Sequence, residues 1–122
     1  MTIILNHTIV SSHNKQEAAR WFAQIFGLTC EPTKAHFAPV RVNDTLTLLF
    51  DDHPSFDSRH YAFHVSDAEF DAIFGRVKAA GLPFGSGPGH FDDGKLNDWN
   101  GGRGVYFKSP DGHVLELMTV AQ

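Results

Sequence analysis

The sequence predicts an α+β fold written twice, each copy in the order β-α-β-β-β. Three observations carry this reading. A β-branched, loosely alternating run opens each half, at Ile3 to Ser11 and at Arg59 to Ser66. A capped segment with apolar residues at helical spacing follows each run. Short apolar runs separated by turn residues then close each half. The chain is read as a single domain over residues 1–122, built of two modules at about 1–53 and 58–122.

In the first half, Asn14 and Glu17 stand at capping-box spacing. Trp21, Phe22, Ile25 and Phe26 form the apolar stripe, and Gly27 supplies the stop. Two or three short strands are expected next. The clearest pair, Phe37 to Val42 and Thr45 to Asp51, brackets Asn43-Asp44, a dipeptide suited to a two-residue hairpin turn. In the second half Ser66 and Glu69 repeat the capping box. Phe70, Ile73, Phe74 and Val77 recur at i, i+3, i+4 and i+7, and Gly81 ends the helix. A short strand is expected near Leu82 to Gly85. The Gly-rich stretch from Pro83 to Gly102 then reads as a long loop, either a lid or a surface excursion. Gly104 to Lys108 and His113 to Val120 form the closing hairpin around Ser109-Pro110-Asp111-Gly112. Aligning Gly27 with Gly81 sets His7 against Tyr61, so the strand-to-helix connections must differ by one residue for His7 to match His60.

Composition narrows the function classes. A chain of 122 residues fits one compact unit, small enough that dimerisation would help it. The net charge is −4 and the ten Lys and Arg are scattered, which argues against a nucleic-acid partner. The single cysteine, Cys30, precludes an intrachain disulfide and points to a reducing compartment. No basic leader opens the sequence and no apolar stretch approaches membrane-spanning length. The expectation is a soluble, cytoplasmic protein with no membrane partner. Eleven Phe suit either a ring-lined cavity or a Phe-rich core.

The chemistry concentrates at Glu116. It interrupts His113-Val114-Leu115-Glu116-Leu117-Met118-Thr119-Val120, a run otherwise nearly all apolar. A carboxylate there faces an interior, where an unpaired charge costs several kcal/mol or stays protonated. A buried basic residue or a metal ion could compensate it, and no apolar run of this chain contains a Lys or Arg. A histidine does lie in the first strand-like run of each half, His7 and His60. Two His and one Glu on three different strands are the inventory of a divalent-metal site with open positions. Taken singly, His7 reads first as a satisfied strand histidine, and Glu116 has the alternative of a buried salt bridge. His64 shares the strand parity of His60, but four residues at ~3.3 Å each place it about 13 Å away, so it serves the rim or a plain hydrogen bond. His13, His36, His53, His90 and His113 fall in expected loops and are read as surface residues.

This duplicated order, with Asn6-His7, His60-Tyr61-Ala62-Phe63 and the closing Tyr106-Phe107-Lys108-Ser109-Pro110-Asp111-Gly112-His113-Val114-Leu115-Glu116, resembles the vicinal oxygen chelate superfamily over essentially the whole chain. That superfamily includes glyoxalase I, extradiol dioxygenases, fosfomycin-resistance thiol transferases and bleomycin-resistance proteins. The resemblance implies a cup-shaped mixed sheet with the helices on its outer face. It implies a divalent metal held by His7, His60 and Glu116, with Fe(II), Mn(II), Zn or Ni suited to those donors. It also places Tyr106 where related enzymes hydrogen-bond the metal-bound ligand or substrate, although a ring packed in the sheet would read the same. The four-ligand pattern of glyoxalase I is not met. Laying Asn43 to Leu48 against Asp111 to Glu116 sets Leu48 at the position of the fourth ligand. Fosfomycin-type chemistry is weakened too, since Lys95 and Arg103 are the only nearby basic residues for a phosphonate.

The function expected is that of a metal-dependent enzyme acting on a small oxygen-rich substrate, with dioxygenase-like or lyase- or isomerase-like chemistry at a 2-His-1-Glu centre. The competing class is a non-catalytic protein of the bleomycin-resistance type that sequesters a drug or metabolite. A homodimer is the expected assembly, with the modules paired within a chain or exchanged between subunits.

Overall fold

A computed structural model describes residues 2–122 of the chain. They form two compact units, Met1–Asp57 and Ser58–Gln122. The first contains β1 (His7–Ser12), α1 (Lys15–Phe26), β2 (Ala38–Arg41) and β3 (Thr47–Asp52). Its sheet runs β1-β3-β2, with β1 parallel and β2 antiparallel to β3. The Asn14 side chain caps α1 by accepting from the Glu17 amide at 3.1 Å. Gly27, at φ 71°, ends the helix in the left-handed conformation that glycine adopts without strain. The helix buries Ala18, Ala19, Phe22, Ala23, Ile25 and Phe26. Val10, Ala38, Val40, Leu48 and Phe50 supply the sheet side of this core. Phe22 stacks on Phe26 at 4.1 Å between centroids and tilts against Phe50 at 5.8 Å. Each ring so buried contributes roughly 1.5–3 kcal/mol.

Three expectations for this half are corrected. The opening strand begins at His7, not at Ile3, and Ile3, Ile4 and Leu5 are exposed. The ladder to β3 ends where the Thr47 amide donates to Asn6 O, because residues 42–46 turn away and leave the earlier residues no partner strand. The third strand after the helix shrinks to one bridge, Cys30 to Val40, so this unit is β-α-β-β. The Asn43-Asp44 connection is not a two-residue turn. Residues 42–46 form a wider loop, in which Asn43 Oδ1 accepts from the amides of Thr45 and Leu46 and from the Thr45 hydroxyl. Asn43 thus serves as an Asx-type cap rather than as a left-handed turn residue.

The second unit contains β4 (His60–His64), α2 (Asp67–Ala79), β5 (Phe84–Gly85), a 3₁₀ turn (Trp99–Gly101), β6 (Gly104–Lys108) and β7 (Val114–Met118). Its sheet runs β4-β7-β6-β5, with β4 parallel to β7 and the other pairs antiparallel. Both halves of the Ser66–Glu69 capping box are formed. Phe70, Ile73 and Val77 of α2 are buried, as are Val105, Phe107, Leu115 and Leu117 of the sheet. Ser109 to Gly112 makes the closing turn, with the Gly112 amide on Ser109 O and Gly112 at φ 84°. The strand-to-helix connections do differ by one residue, but in the opposite sense to that needed: Asn14 caps α1 seven residues after His7 and Ser66 caps α2 six residues after His60, and the longer stretch from Ser66 to Gly81 supplies the offset. No helix among the described residues is long and apolar enough to cross a membrane.

The Gly-rich loop is stitched to itself. The Asp93 carboxylate accepts from the amides of Ser86 and Lys95 and from the Ser86 hydroxyl at 2.6 Å, and Asn97 Nδ2 donates to Ser86 O. These bonds hold Asp93 well below the usual carboxylate range, the Ser86 hydroxyl most strongly. The returning chain crosses Gly85 so closely that a Cβ there would lie 1.7 Å from His90 O. Gly85→Ala is therefore expected to destabilise the protein by about 1–3 kcal/mol through backbone displacement. By contrast Gly75→Ala, in α2 with nothing within 4 Å of its Cβ, is expected to stabilise by about 0.5–1 kcal/mol. Urea unfolding of the two variants beside wild type checks both signs.

Candidate metal and substrate site

Strand parity and register assemble the site in the second unit. On β7, Leu115 and Leu117 point into the core with α2, so Glu116 points to the opposite face of the sheet. Ala62 of β4 and Tyr106 of β6 pair with Glu116 on either side. His60, two residues before Ala62, shares that face. Glu116 is 3% exposed and Tyr106 equally buried, as the apolar run around the carboxylate requires.

The Glu116 carboxylate is shared out between distinct partners. His60 Nε2 lies 2.9 Å from Oε1, and Gln122 Nε2 donates to Oε2 at 3.2 Å. Tyr106 pairs across the ladder with Glu116. Burial first, and then the neighbouring Glu116 carboxylate, push the Tyr106 phenol well above its ordinary value, so it keeps its proton. Aromatic rings surround Tyr106: His60 at 5.7 Å, Trp99 at 5.9 Å and Phe91 at 6.2 Å between centroids. Lys108, two residues along β6, rests its ammonium 4.7 Å over the Phe91 ring. Trp99 is 42% exposed, which leaves an indole edge open to an incoming molecule.

The donor pair suits a divalent ion. Two ligand atoms bound at about 2.1 Å and at right angles would lie about 3.0 Å apart, close to the Nε2–Oε1 separation here. A borderline nitrogen beside a hard oxygen matches the metals named above. His7 belongs to the first unit, where it opens β1 with its ring exposed and Nδ1 2.8 Å from Asn6 Oδ1. This engagement of Nδ1 leaves Nε2 as the ring nitrogen for a ligand. His7 borders a hollow of about 550 Å³ together with Phe37, Pro39, Thr47 and Leu49. Among the described residues no three His, Cys, Asp or Glu side chains are gathered into a ready-made cage. The structure brings His60, Glu116 and Tyr106 together; His7 stands on its own unit's sheet.

The pairing also corrects the internal alignment. Ala62, two residues after His60, pairs with Glu116, whereas Ile9, two residues after His7, pairs with Leu49. The counterpart of Glu116 is therefore Leu49, on the sheet face away from α1, and Leu48 is a core residue at 2% exposure. The chemistry is unchanged, because leucine offers no ligand at either position.

The remaining histidines divide. His64 Nε2 is 3.2 Å from Thr119 O, an ordinary hydrogen bond. His113 is not a surface residue: it is 2% exposed, its Nδ1 accepts from the Arg59 amide at 3.0 Å, and Tyr61 meets its ring edge-on. Its parity with Leu115 and Leu117 was the available signal. His36 and His53 bracket Asp51 at 3.1 and 3.4 Å, and His53 Nδ1 is 2.7 Å from Ser11 Oγ. The His36 bond is the main cause that draws Asp51 below its ordinary value. Phe91, Trp99 and Gln122 are site residues that sequence reasoning missed, since loop and tail positions carry no periodicity.

The family model described as Glyoxalase/Bleomycin resistance protein/Dioxygenase superfamily matches residues 4–117. Among solved structures, Oxidase ChaP-H2 is 43% identical with a TM-score of 0.94, covering 99% of this chain and 96% of its own. Oxidase ChaP-H1 is 41% identical with a TM-score of 0.93, covering 98% of each. Glutathione transferase FosA of Serratia marcescens is 28% identical over 120 residues, 93% of this chain and 78% of the relative.

Proposed function

The chain belongs to the glyoxalase/bleomycin resistance protein/dioxygenase superfamily, and from that membership we propose that it is a metal-dependent enzyme oxidising a small aromatic molecule with adjacent oxygens. The observation that carries this reading is the buried Glu116, with one oxygen against His60 Nε2, a protonated Tyr106 beside it and aromatic rings around it. His60 and Glu116 would hold the ion, with His7 of the same chain or of a second copy as third ligand. Oxidation selects Fe(II) or Mn(II) from the suitable metals, because Zn carries no redox chemistry. The two oxidases at 43% and 41% identity support oxidation over lyase or isomerase chemistry.

The ion, when bound, supplies Lewis acidity and a path for electrons to dioxygen. The protein's own residues do the rest. Tyr106, kept protonated, donates a hydrogen bond to a substrate oxygen that gains negative charge. Trp99 and Phe91 stack against an aromatic ring and exclude water from it. Three protein ligands would leave positions open for two substrate oxygens and dioxygen.

Oxygen consumption with a panel of catechols and hydroquinones tests this. Uptake is expected only after loading with Fe(II) or Mn(II), in proportion to substrate consumed. Incorporation of both oxygen atoms into product would mark a dioxygenase, and release of hydrogen peroxide an oxidase. Ligand binding that quenches tryptophan fluorescence without any oxygen uptake would sink the oxidative reading in favour of sequestration. Loss of glutathione thiol with an epoxide would favour the transferase chemistry of the FosA relative.

A further inference from the structure

We propose that Gln122 is a positioning residue that fixes which oxygen of Glu116 is presented to the metal. The inference rests on the metal reading above and concerns the segment that follows β7. That segment does not continue along the strand. Six extended residues would carry Gln122 about 20 Å from Glu116, yet its side-chain amide donates to Oε2 at 3.2 Å. The chain reverses because Thr119 is held on three sides. Its amide donates to Arg103 O at 2.9 Å, its hydroxyl accepts from the Arg103 amide at 2.8 Å, and its carbonyl lies 3.2 Å from His64 Nε2. The bend also presses on Gly102, where a Cβ would lie 2.7 Å from both Thr119 Oγ1 and Val120 Cγ2. Residues 119–122 are thus anchored at the bend and laid back over the carboxylate.

The consequence is a division of labour between two chemically equivalent oxygens. Oε1 faces His60 Nε2, the nitrogen donor of the pair, and Oε2 is engaged by a neutral amide. A donor on Oε2 opposes rotation of the carboxylate and disfavours its binding through both oxygens. Glu116 then presents one oxygen, which conserves a coordination position for a substrate with two. Hydrogen-bonded partners of this kind orient ligands and tune their metal, and their loss typically costs 10–100-fold in affinity.

The test uses metal-stripped full-length protein titrated with Co(II), followed by its visible absorption, in wild type, Gln122→Ala and Gln122→Met. Methionine keeps the length of the side chain and removes the donor. Both variants are expected to bind Co(II) about 10–100-fold more weakly than wild type, with an altered visible band and an unchanged urea midpoint. Wild-type affinity and spectrum in Gln122→Met would show that the contact is packing and would overturn the proposal, as would an unchanged Gln122→Ala. Wild-type protein that binds no Co(II) would instead overturn the metal reading itself, and this inference with it.

Discussion

Glu116→Gln is expected to bind no divalent ion under loading conditions in which wild-type protein is expected to take one up. The substitution preserves shape and still offers hydrogen-bonding groups to Tyr106 and His60, so the second unit should fold. It removes the negative charge that opposes the ion's own, and a carboxamide oxygen is a poor substitute inside an apolar strand. The loss of metal-dependent turnover should exceed the roughly 100-fold that outer partners cost. His60→Ala should lose the ion too, by removing the nitrogen donor while leaving the carboxylate with Gln122 and Tyr106. Metal analysis beside urea unfolding separates loss of ligand from loss of fold. An ion retained at wild-type occupancy in both variants would place the metal elsewhere.

Tyr106→Phe is expected to lower kcat by about 10²–10³ while KM changes little, because a donor aimed at developing charge acts mainly in the transition state. The ring contacts to His60, Phe91 and Trp99 survive the change. The pH dependence follows from the raised phenol. A group held neutral in the fold contributes its stability fully below the unfolded value near 10 and loses it as pH rises toward the higher folded value. Wild-type activity should therefore show no Tyr106 limb up to pH 10. The Tyr106→Phe protein should lose less stability than wild type as pH rises above 10. Stopped-flow turnover and thermal melts across pH 7 to 11 check both halves, and an unchanged kcat would reduce Tyr106 to a packing residue.

Both helices were legible because their information is local: a capping side chain, an apolar stripe and a glycine stop each act within four residues. The closing hairpin was legible for the same reason, through Ser109-Pro110-Asp111-Gly112. Burial of Glu116 followed from its two leucine neighbours alone. What escaped depends on partners distant in sequence. Residues 3–5 carry a strand pattern, but β3 begins opposite His7 and leaves them nothing to pair with. The one-residue error between Leu48 and Leu49 arose because matching turns do not fix register; the parallel ladders do. His113, 54 residues from Arg59, was hidden by its nearness to a turn. Gln122 and Trp99 reach the site only through a bend and a loop that no repeat announces.

The self-stitched loop makes the two tasks of the site separable in evolution. The rings that would meet a substrate, Phe91 and Trp99, ride on a segment whose internal bonds close on Ser86, Asp93, Lys95 and Asn97. The imidazole and carboxylate ride on β4 and β7, whose rungs that segment does not enter. Sequence can drift between residues 87 and 100, outside the anchoring Asp93 and Asn97, without moving His60 or Glu116. One scaffold can therefore change what it recognises while conserving how it reacts.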